Sequence, residues 1–275
     1  MMEKFERCKV CNCHIEFQNS KFNLVKCKSC NLVFCNSIFN EEEFIRVYDK
    51  LYNSGPKSQY QVHSTTEINE MHSGKLNIGY NRKTLISKTI NDRDRVLEVG
   101  SGNGLVGLYL KQKFEDIFYK GIEIDQKIAT RAQSFGLDII NDDFRVMKGF
   151  TDKFDVIMMW EVLEHIQDLN LCLELLKNVL NKNGTLMLSV PNYEKRLNYK
   201  NSDNKLFQSG PPIHLNYFTM DSLRKIFKLY GFKNVKIREK SMPYFNLKDP
   251  NFYSLLQRKM TGKFHGPTLY LIASV

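Results

Sequence analysis

Residues 95–107, RVLEVGSGNGLVG, place a cluster of glycines between a short apolar segment and a segment with helical periodicity. The apolar segment predicts a buried β-strand, and the residues after Gly104 predict a helix. Glycines at such a junction let a ligand approach the backbone closely, and the first N–H groups of the helix lack intrahelical partners. The stretch therefore predicts a strand–loop–helix unit that binds a nucleotide-like ligand.

The chain on the carboxyl side of this unit repeats the same alternation. Apolar segments of strand length alternate with helical patterns, which predicts a parallel sheet covered by helices on both faces. The predicted strands cover 95–100, 119–125, 137–142, 154–160, 185–192, 232–239 and 267–275. No crossover helix is evident between the last two strands, so we expect them to pair antiparallel at one edge, with an insertion at about 241–265.

The N-terminal segment concentrates six of the seven cysteines within the first 35 residues. Cys8 and Cys11 form one C-x-x-C pair and Cys27 and Cys30 form a second, which is the spacing of a four-thiolate zinc site. A closed site of four protein ligands leaves no position for chemistry, so a structural role is predicted. Three further candidate ligands are interpreted as bystanders: Cys13, His14 and Cys35.

These patterns divide the chain into three predicted parts. Residues 1–40 form a zinc ribbon, residues 41–90 a helical linker or lid, and residues 91–275 the main domain. Within the linker, helices are predicted at 41–52 and around 75–90, and the polar residues 53–70 are predicted to form a loop. The predicted fold class is α/β: a Rossmann-like doubly wound sheet, mostly parallel with one antiparallel edge strand, plus the small ribbon.

The glycine loop alone leaves two classes of ligand open. Residues 102–107 match G-x-G-x-x-G, which is also found in dinucleotide oxidoreductases, and both classes expect an acid such as Glu123 at the end of the next strand. The wider order of motifs separates them. VLEVGSGNG, GIEID, NDDF, FDVIMMWEVLEH and LKNVLNKNGTLMLSVPN, in this order, resemble class I S-adenosylmethionine-dependent methyltransferases.

The cysteine pairs and PPIHLNYFTMDSLRKIFKLYGF extend the resemblance to a bacterial subgroup with an N-terminal zinc ribbon, often associated with sugars or polysaccharide precursors. The resemblance implies that the glycine loop lines the methionine and ribose of the cofactor and that Glu123 binds the ribose hydroxyls. It implies that Asp143 or its neighbour Asp142 accepts from the adenine amino group. The implied cofactor-binding residues are Glu98, Gly100, Ser101, Gly102, Gly104, Glu123, Ile124, Asp142, Asp143 and Trp160.

The stretch EVLEH follows the strand 154–160, at the edge of the sheet where ligands bind. Glu161, Glu164 and His165 are spaced to lie on one helical turn, and the pattern resembles the metal-binding element of ubiquinone-type O-methyltransferases and of small-RNA 2'-O-methyltransferases. His214 occurs at a comparable later point. Two hypotheses stay open: these four residues hold Mg²⁺ or Mn²⁺, or His165 or His214 acts as a base without metal.

Composition restricts the partners. The formal net charge is +10, which favours either an anionic partner or a lysine-rich solvated surface. No apolar run is long enough for a membrane span, and the charged N-terminus MMEKFERC is unlike a secretion signal, so a cytoplasmic protein is predicted. The predicted activity is O-methylation of a small or sugar-type acceptor, with an RNA methyltransferase and a non-catalytic binding module as alternatives.

Overall fold

The structure is a computed structural model, and it describes residues 3–19, 22–46, 59–197, 210–239, 252–262 and 265–275. Its centre is a seven-stranded sheet in the order β10-β11-β8-β7-β4-β5-β6. These strands are β4 (Arg95–Val99), β5 (Phe118–Glu123), β6 (Ile139–Asn141), β7 (Phe154–Trp160), β8 (Leu180–Pro191), β10 (Lys233–Glu239) and β11 (Thr268–Ser274).

Strand directions in this sheet confirm the predicted Rossmann-like class. The pairs β4–β5, β4–β7, β5–β6 and β7–β8 are parallel. Strand β11 runs antiparallel to both of its neighbours, β8 and β10, so the antiparallel strand lies one position inside the edge. Strand β4 lies between β5 and β7, so the strands that follow β4 in the chain are added first on one side of it and then on the other. This reversal of strand order opens a crevice at the carboxyl end of β4.

The helices cover both faces of the sheet. They are α1 (residues 41–46), α2 (Gln59–Ser73), α3 (Tyr80–Thr89), α4 (Leu105–Lys113), α5 (Gln126–Ser134), α6 (Leu169–Val179), α7 (Tyr193–Leu197), α8 (Met220–Leu229) and α9 (Phe252–Met260). Among the described residues no helix is both long and apolar enough to cross a membrane.

Alternate residues of the central strands separate two hydrophobic cores. On β4, Val96 belongs to a core shared with α3, α4 and α5, whereas Leu97 belongs to a core shared with α6 and α8. Successive side chains of a strand point to opposite faces, so the two cores lie on opposite sides of the sheet. The second core also contains Cys27, Leu32 and Phe34 from the N-terminal segment, which therefore packs directly on the main sheet's helical layer.

The N-terminal segment, residues 3–40 and called the ribbon below, forms its own small sheet. Strands β1 (Ile15–Asn19), β2 (Leu24–Cys27) and β3 (Val33–Cys35) are antiparallel neighbours. The fourth strand is β9 (Asn216–Tyr217), which pairs antiparallel with β3 and comes from the far end of the chain. The sequence did not predict this strand, because two residues carry no periodicity.

Two linker predictions differ from the structure. The loop predicted at 53–70 is wrong over its second part, because residues 59–70 belong to helix α2. Their polar composition hid the helix, which is held by tertiary contacts such as the buried Met71 rather than by an apolar stripe of its own. Residues 75–79 precede α3 rather than belonging to it. Residues 47–58 lie outside the described residues, as do 241–251 and 263–264 of the predicted insertion, and the described part of the insertion includes α9.

Candidate active site

The glycine loop turns sharply from β4 into α4. Gly102 has a φ of 55° and Gly104 a φ of 83°, in the left-handed region where residues with a Cβ are strained. A Cβ on Gly104 would lie 2.2 Å from Leu137, so a side chain has no room there. A Cβ on Gly102 would meet no atom within 4 Å. The Gly102 backbone therefore borders open space, as a ligand-cradling loop requires.

Glu123, at the end of β5, is tied to this loop. Its carboxylate accepts hydrogen bonds from the Gly102 amide at 2.8 Å and the Asp125 amide at 3.0 Å. The side chain is buried, and burial raises its pKa. The next residue, Ile124, is 67% exposed. The carboxylate can bind ribose hydroxyls, and the exposed apolar side chain beside it can pack against the face of an adenine ring.

Glu98 lies beneath the loop rather than on its surface. It is 2% exposed, and its carboxylate accepts a hydrogen bond of 2.6 Å from the Tyr119 hydroxyl. Burial raises the pKa of Glu98 to about 8, while the Tyr119 hydrogen bond and the charge of Arg82 oppose that shift. Ser101 is buried as well, with its Oγ against Gly121. Of the implied cofactor residues, Glu98 and Ser101 therefore support the loop from below.

Two linker helices bring polar residues to the loop that the sequence analysis missed. Glu67 of α2 accepts a hydrogen bond of 2.9 Å from the Asn103 side chain. Arg82 of α3 lies 5.4 Å from the centre of the Trp160 ring. Trp160 is buried, and its Nε1 has no hydrogen-bond partner among the described residues. The sequence analysis placed Glu67 in a predicted loop and Arg82 in a predicted helix, and neither pattern indicated these contacts.

The two acidic residues after β6 have different surroundings. Asp143 caps a 3-10 helix by accepting from the Arg145 amide at 2.7 Å, and its other oxygen pairs with the Arg145 guanidinium. Asp142 is exposed, and one of its oxygens accepts from the Asp143 amide. Asp142 is therefore the better placed of the two to bind a ligand amine.

The four predicted zinc ligands come together in the ribbon. Within the described chain, the sulfurs of Cys8, Cys11, Cys27 and Cys30 lie within 4.8 Å of one another. The Cys8–Cys30 and Cys11–Cys27 sulfurs are 3.7 and 3.4 Å apart. A tetrahedral ion with Zn–S bonds of about 2.3 Å needs S–S separations of about 3.8 Å, so the residues fit zinc. The Ser29 and Cys30 amides also point at the Cys27 sulfur, as in a knuckle that stabilises a thiolate.

The EVLEH stretch forms a different local structure from the one predicted. Glu161 has a φ of 58°, and only Leu163–His165 form a short 3-10 helix. The hypothesis of one helical turn carrying all three ligands is therefore wrong, because Glu161 itself has a left-handed backbone and lies outside the turn. Ligand atoms of Glu164, His165 and His214 lie within 4.8 Å of one another, and Glu161 is outside this group.

The two imidazoles of this group meet edge to face. Their ring centres are 4.9 Å apart at an angle of 70°. His165 Nδ1 lies 2.8 Å from the Ile213 carbonyl oxygen, and its Nε2 lies 3.8 Å from a Glu164 oxygen. Burial lowers the pKa of His165, while the carbonyls of Ile213 and Glu161 oppose the shift. A neutral His165 that donates from Nδ1 presents a lone pair at Nε2, for a proton or for a metal ion.

A second Glu/His cluster lies at the same edge of the sheet, beyond β8. It consists of Glu194, Glu239 and His265. His265 Nδ1 is 3.1 Å from one oxygen of Glu239, and the Gly266 amide donates to the other at 3.0 Å. These contacts link the end of β10 to the segment that leads into β11. We therefore interpret the cluster as structural.

Comparisons with known proteins agree with this geometry. A family described as a methyltransferase domain matches residues 79–237. No curated protein matches the chain in sequence. A SAM-dependent methyltransferase from Archaeoglobus fulgidus superposes with a TM-score of 0.52 at 15% identity, covering 84% of this chain and all of that one. A second, from Mesorhizobium loti, superposes with a TM-score of 0.53 at 12% identity, covering 72% of this chain and 99% of that one.

A third structure similar to this chain is the plantazolicin methyltransferase BamL, solved with SAH. Its TM-score is 0.50 at 16% identity, and the match covers 85% of this chain and 96% of that one. At such identities these likenesses establish the fold, which is the predicted one.

Proposed function

The chain belongs to the family of methyltransferase domains, and from that premise we propose that it transfers a methyl group from S-adenosylmethionine to a hydroxyl oxygen of a small or sugar-type acceptor. When bound, S-adenosylmethionine supplies an electrophilic methyl group on a sulfonium. A new oxygen–carbon bond forms as the carbon–sulfur bond breaks, and the acceptor hydroxyl gives up its proton. The protein has to align the two reactants and provide a destination for that proton.

Three observations support the cofactor assignment. Gly102 borders open space, Ile124 exposes 67% of its surface beside Glu123, and Trp160 has a buried Nε1 that lacks a partner among the described residues. The Glu123 oxygens accept from two amides, and each oxygen has a second lone pair for a ribose hydroxyl. Asp142 is proposed to bind the adenine amino group, since Asp143 is occupied by Arg145.

The observation that carries oxygen transfer is the meeting of Glu164, His165 and His214 beyond the end of β7. We propose that His165 Nε2 removes the hydroxyl proton, with Glu164 stabilising the charge that His165 then acquires. The residues also fit a divalent ion, because two imidazoles and a carboxylate suit Mn²⁺ and because His165 Nδ1 faces a carbonyl, the arrangement that orients metal-bound histidines. Such an ion would lower the pKa of the hydroxyl.

The ribbon is proposed to hold one structural Zn²⁺ on its four cysteines. The Cys30 contact lowers the pKa of Cys8, and the same contact raises the pKa of Cys30, so this pair holds on to a proton that a bound Zn²⁺ would displace. All four positions of a tetrahedral ion would be filled by sulfur, so the zinc takes no part in the transfer.

The test is transfer of isotope-labelled methyl groups from S-adenosylmethionine into a fractionated cell extract, with labelled products identified by mass. We expect label in a hydroxyl-bearing small molecule or sugar, and far less with a Gly102→Val variant at a cofactor concentration too low to saturate that variant. Label in the RNA fraction would move the acceptor to nucleic acid. Tight cofactor binding without label in any fraction would favour a non-catalytic binding module.

A further inference from the structure

The ribbon and the Glu164–His165–His214 group are joined by backbone pairing. Strand β3 of the ribbon pairs with β9, which begins two residues after His214. The Cys35 amide donates to the Leu215 carbonyl at 2.9 Å. The Leu215 amide in turn donates to the Glu164 carbonyl at 2.8 Å. A continuous line of hydrogen bonds therefore runs from the ribbon through Leu215, the residue before β9, to the 3-10 turn.

Asn216 strengthens this line with its side chain. It is 2% exposed, and its Nδ2 donates to the Leu163 carbonyl at 2.9 Å and the Ile166 carbonyl at 2.8 Å. Those two carbonyls flank Glu164 and His165 in the chain. A single amide group thus holds both ends of the turn that carries two members of the group.

The far end of the turn is fastened to the ribbon separately. The Gln167 side chain accepts from the Phe39 amide at 2.9 Å and donates to the Phe39 carbonyl at 2.9 Å. Phe39 follows β3, and Gln167 follows the turn. The ribbon therefore contacts the segment 163–167 from two directions, through β9 and through Phe39.

The cofactor loop has no such connection among these contacts. Gly102 and Asn103 are bonded to Glu123 and to Glu67 of α2, which belong to the opposite side of the crevice. The core that surrounds α3, α4 and α5 contains no ribbon residue among its described members. A change in the ribbon should therefore reach the acceptor side of the site and leave the cofactor side in place.

We propose that the ribbon is a positioning element of the acceptor site: by β3–β9 pairing, Asn216 and Gln167 it fixes Glu164, His165 and His214 relative to the bound cofactor. This inference rests on the proposed function for its effect on catalysis, but the positioning itself is a structural statement. Loss of the ribbon's metal then lowers kcat without weakening cofactor binding.

The experiment uses the full chain with Cys11→Ser, a change at the partly exposed ligand of the cluster. Amide hydrogen exchange is measured for residues 163–167 and 214–217. Residues 102–110 serve as the internal reference, because their buried members Leu105, Val106 and Leu110 pack in the core that has no ribbon residue among its described members. We expect exchange in the first two segments to be at least about tenfold faster and the reference to be unchanged. SAH affinity by calorimetry should stay within about twofold, and kcat should fall about 100-fold.

Zinc-loaded variants separate positioning from ribbon unfolding. Asn216→Ala and the milder Gln167→Ala should keep the zinc, keep SAH affinity and lower kcat more than they raise KM. The matched control is Asp221→Ala, which removes another ribbon contact, the 2.7 Å hydrogen bond from Asn31, but one at the start of α8. It should leave both kcat and exchange at 163–167 unchanged.

Unchanged exchange at 163–167 and 214–217 in metal-free Cys11→Ser would overturn the proposal. An equal loss of kcat in Asp221→Ala would also overturn it, because any ribbon contact would then matter. Absence of SAH binding by the wild type would instead contradict the proposed function, while the exchange measurement would still decide the positioning.

Discussion

Two carboxylates at the glycine loop differ in how readily they ionise. Glu123 accepts two backbone hydrogen bonds, which favour its charged form against the effect of burial. Glu98 has one hydroxyl donor and deeper burial, and its pKa is raised to about 8. At neutral pH Glu98 is therefore largely protonated, so the loop carries less negative charge than its sequence suggests.

We expect Gly102→Val to weaken S-adenosylmethionine binding at least about 100-fold, or about 3 kcal/mol. The valine would strain a residue with a φ of 55° and fill the space that borders the loop. Gly136→Val is the matched control, because Gly136 also has a positive φ and open surroundings but lies at the end of α5. Calorimetry that finds similar losses in both variants would attribute the effect to backbone strain alone.

Cofactor binding should release a proton at pH 7. Glu98 is protonated below its pKa of about 8, and a cationic ligand nearby favours its carboxylate. Affinity should therefore increase as pH rises from 6 to 8 and level off above. Calorimetry in buffers of different ionisation enthalpy measures the proton count, and Glu98→Gln should reduce it to near zero. Unchanged proton release in that variant would place the titrating group elsewhere.

The same shift affects stability with a defined sign. Between the ordinary pKa of 4.5 and about 8, the folded protein holds a proton on Glu98 that the unfolded chain has lost. The free energy of unfolding therefore falls as pH rises through this window, and Glu98→Gln should flatten that dependence.

The candidate site residues that the sequence could indicate are those next to the end of a predicted strand. The glycine loop, Glu123 and Ile124 were found because each follows directly from a strand. Glu67 and Arg82 were not, because they reach Asn103 and Trp160 from helices whose positions depend on tertiary packing. Sequence periodicity indicates that a segment is helical, but it does not indicate which loop the helix packs against.

At the scale of elements, strands buried on both faces were predictable and short irregular segments were not. The predicted strand 154–160 coincides with β7, since its apolar run admits no other place than a sheet interior. The turn after it was predicted as helical from the spacing of its polar residues. Glu161 has a positive φ, so it does not continue the helical spacing. The residue type gives no indication of this backbone conformation.

Purified protein should carry about one zinc per chain, as a closed four-cysteine site requires. Cys27→Ser should release it, because Cys27 is buried and its sulfur also accepts from two amides. We expect thermal unfolding to show a loosened ribbon and an intact cofactor domain, with SAH affinity retained. Elemental analysis of protein purified without chelator gives the metal count, and absence of zinc would contradict the assignment.

Chelation distinguishes the two mechanisms for the acceptor. If Glu164, His165 and His214 hold an ion, activity should fall in chelator and return with Mn²⁺, and Glu164→Gln and His214→Ala should each lose most activity. The zinc content has to be measured in parallel, since loss of the ribbon metal would imitate loss of a catalytic ion. Full activity in chelator with zinc retained would exclude the ion.

A metal-free base predicts a different pH profile. A base works deprotonated, and burial lowers the pKa of His165 below its ordinary 6.5. The rate should therefore rise with pH about a midpoint that lies below 6.5. A rise centred well above 6.5 would point to another group as the base.

At the scale of the whole molecule, the crevice at β4 was predictable and the origin of its walls was not. Alternating strands and helices predict a parallel sheet, and in an open sheet of this kind ligands bind beyond the carboxyl ends of the strands. The ribbon appeared in the sequence as a separate N-terminal unit. In the structure its residues share a core with α6 and α8, because apolar faces that are too small for a core of their own pack on a larger one.

The net charge of +10 acts over the whole surface. We expect it to produce weak RNA binding at low salt that disappears by about 0.2 M, as counterion release predicts for binding without specific contacts. Electrophoretic shifts at about 0.05 and 0.2 M salt measure this. Binding of a particular RNA that persists at the higher salt would instead support RNA as the methyl acceptor.

The pairing of β3 with β9 sets an order of events during synthesis. Val33 of β3 pairs with Tyr217 of β9, near the other end of the chain, so the nascent ribbon can form its knuckles long before its fourth strand exists. At a synthesis rate of about 5–20 residues per second, the edge of β3 would stay unpaired for roughly 10–40 s before β9 is synthesised. An open strand edge is a template for pairing with other chains. Slow translation between these positions would therefore lengthen the interval in which the newborn chain is prone to aggregate.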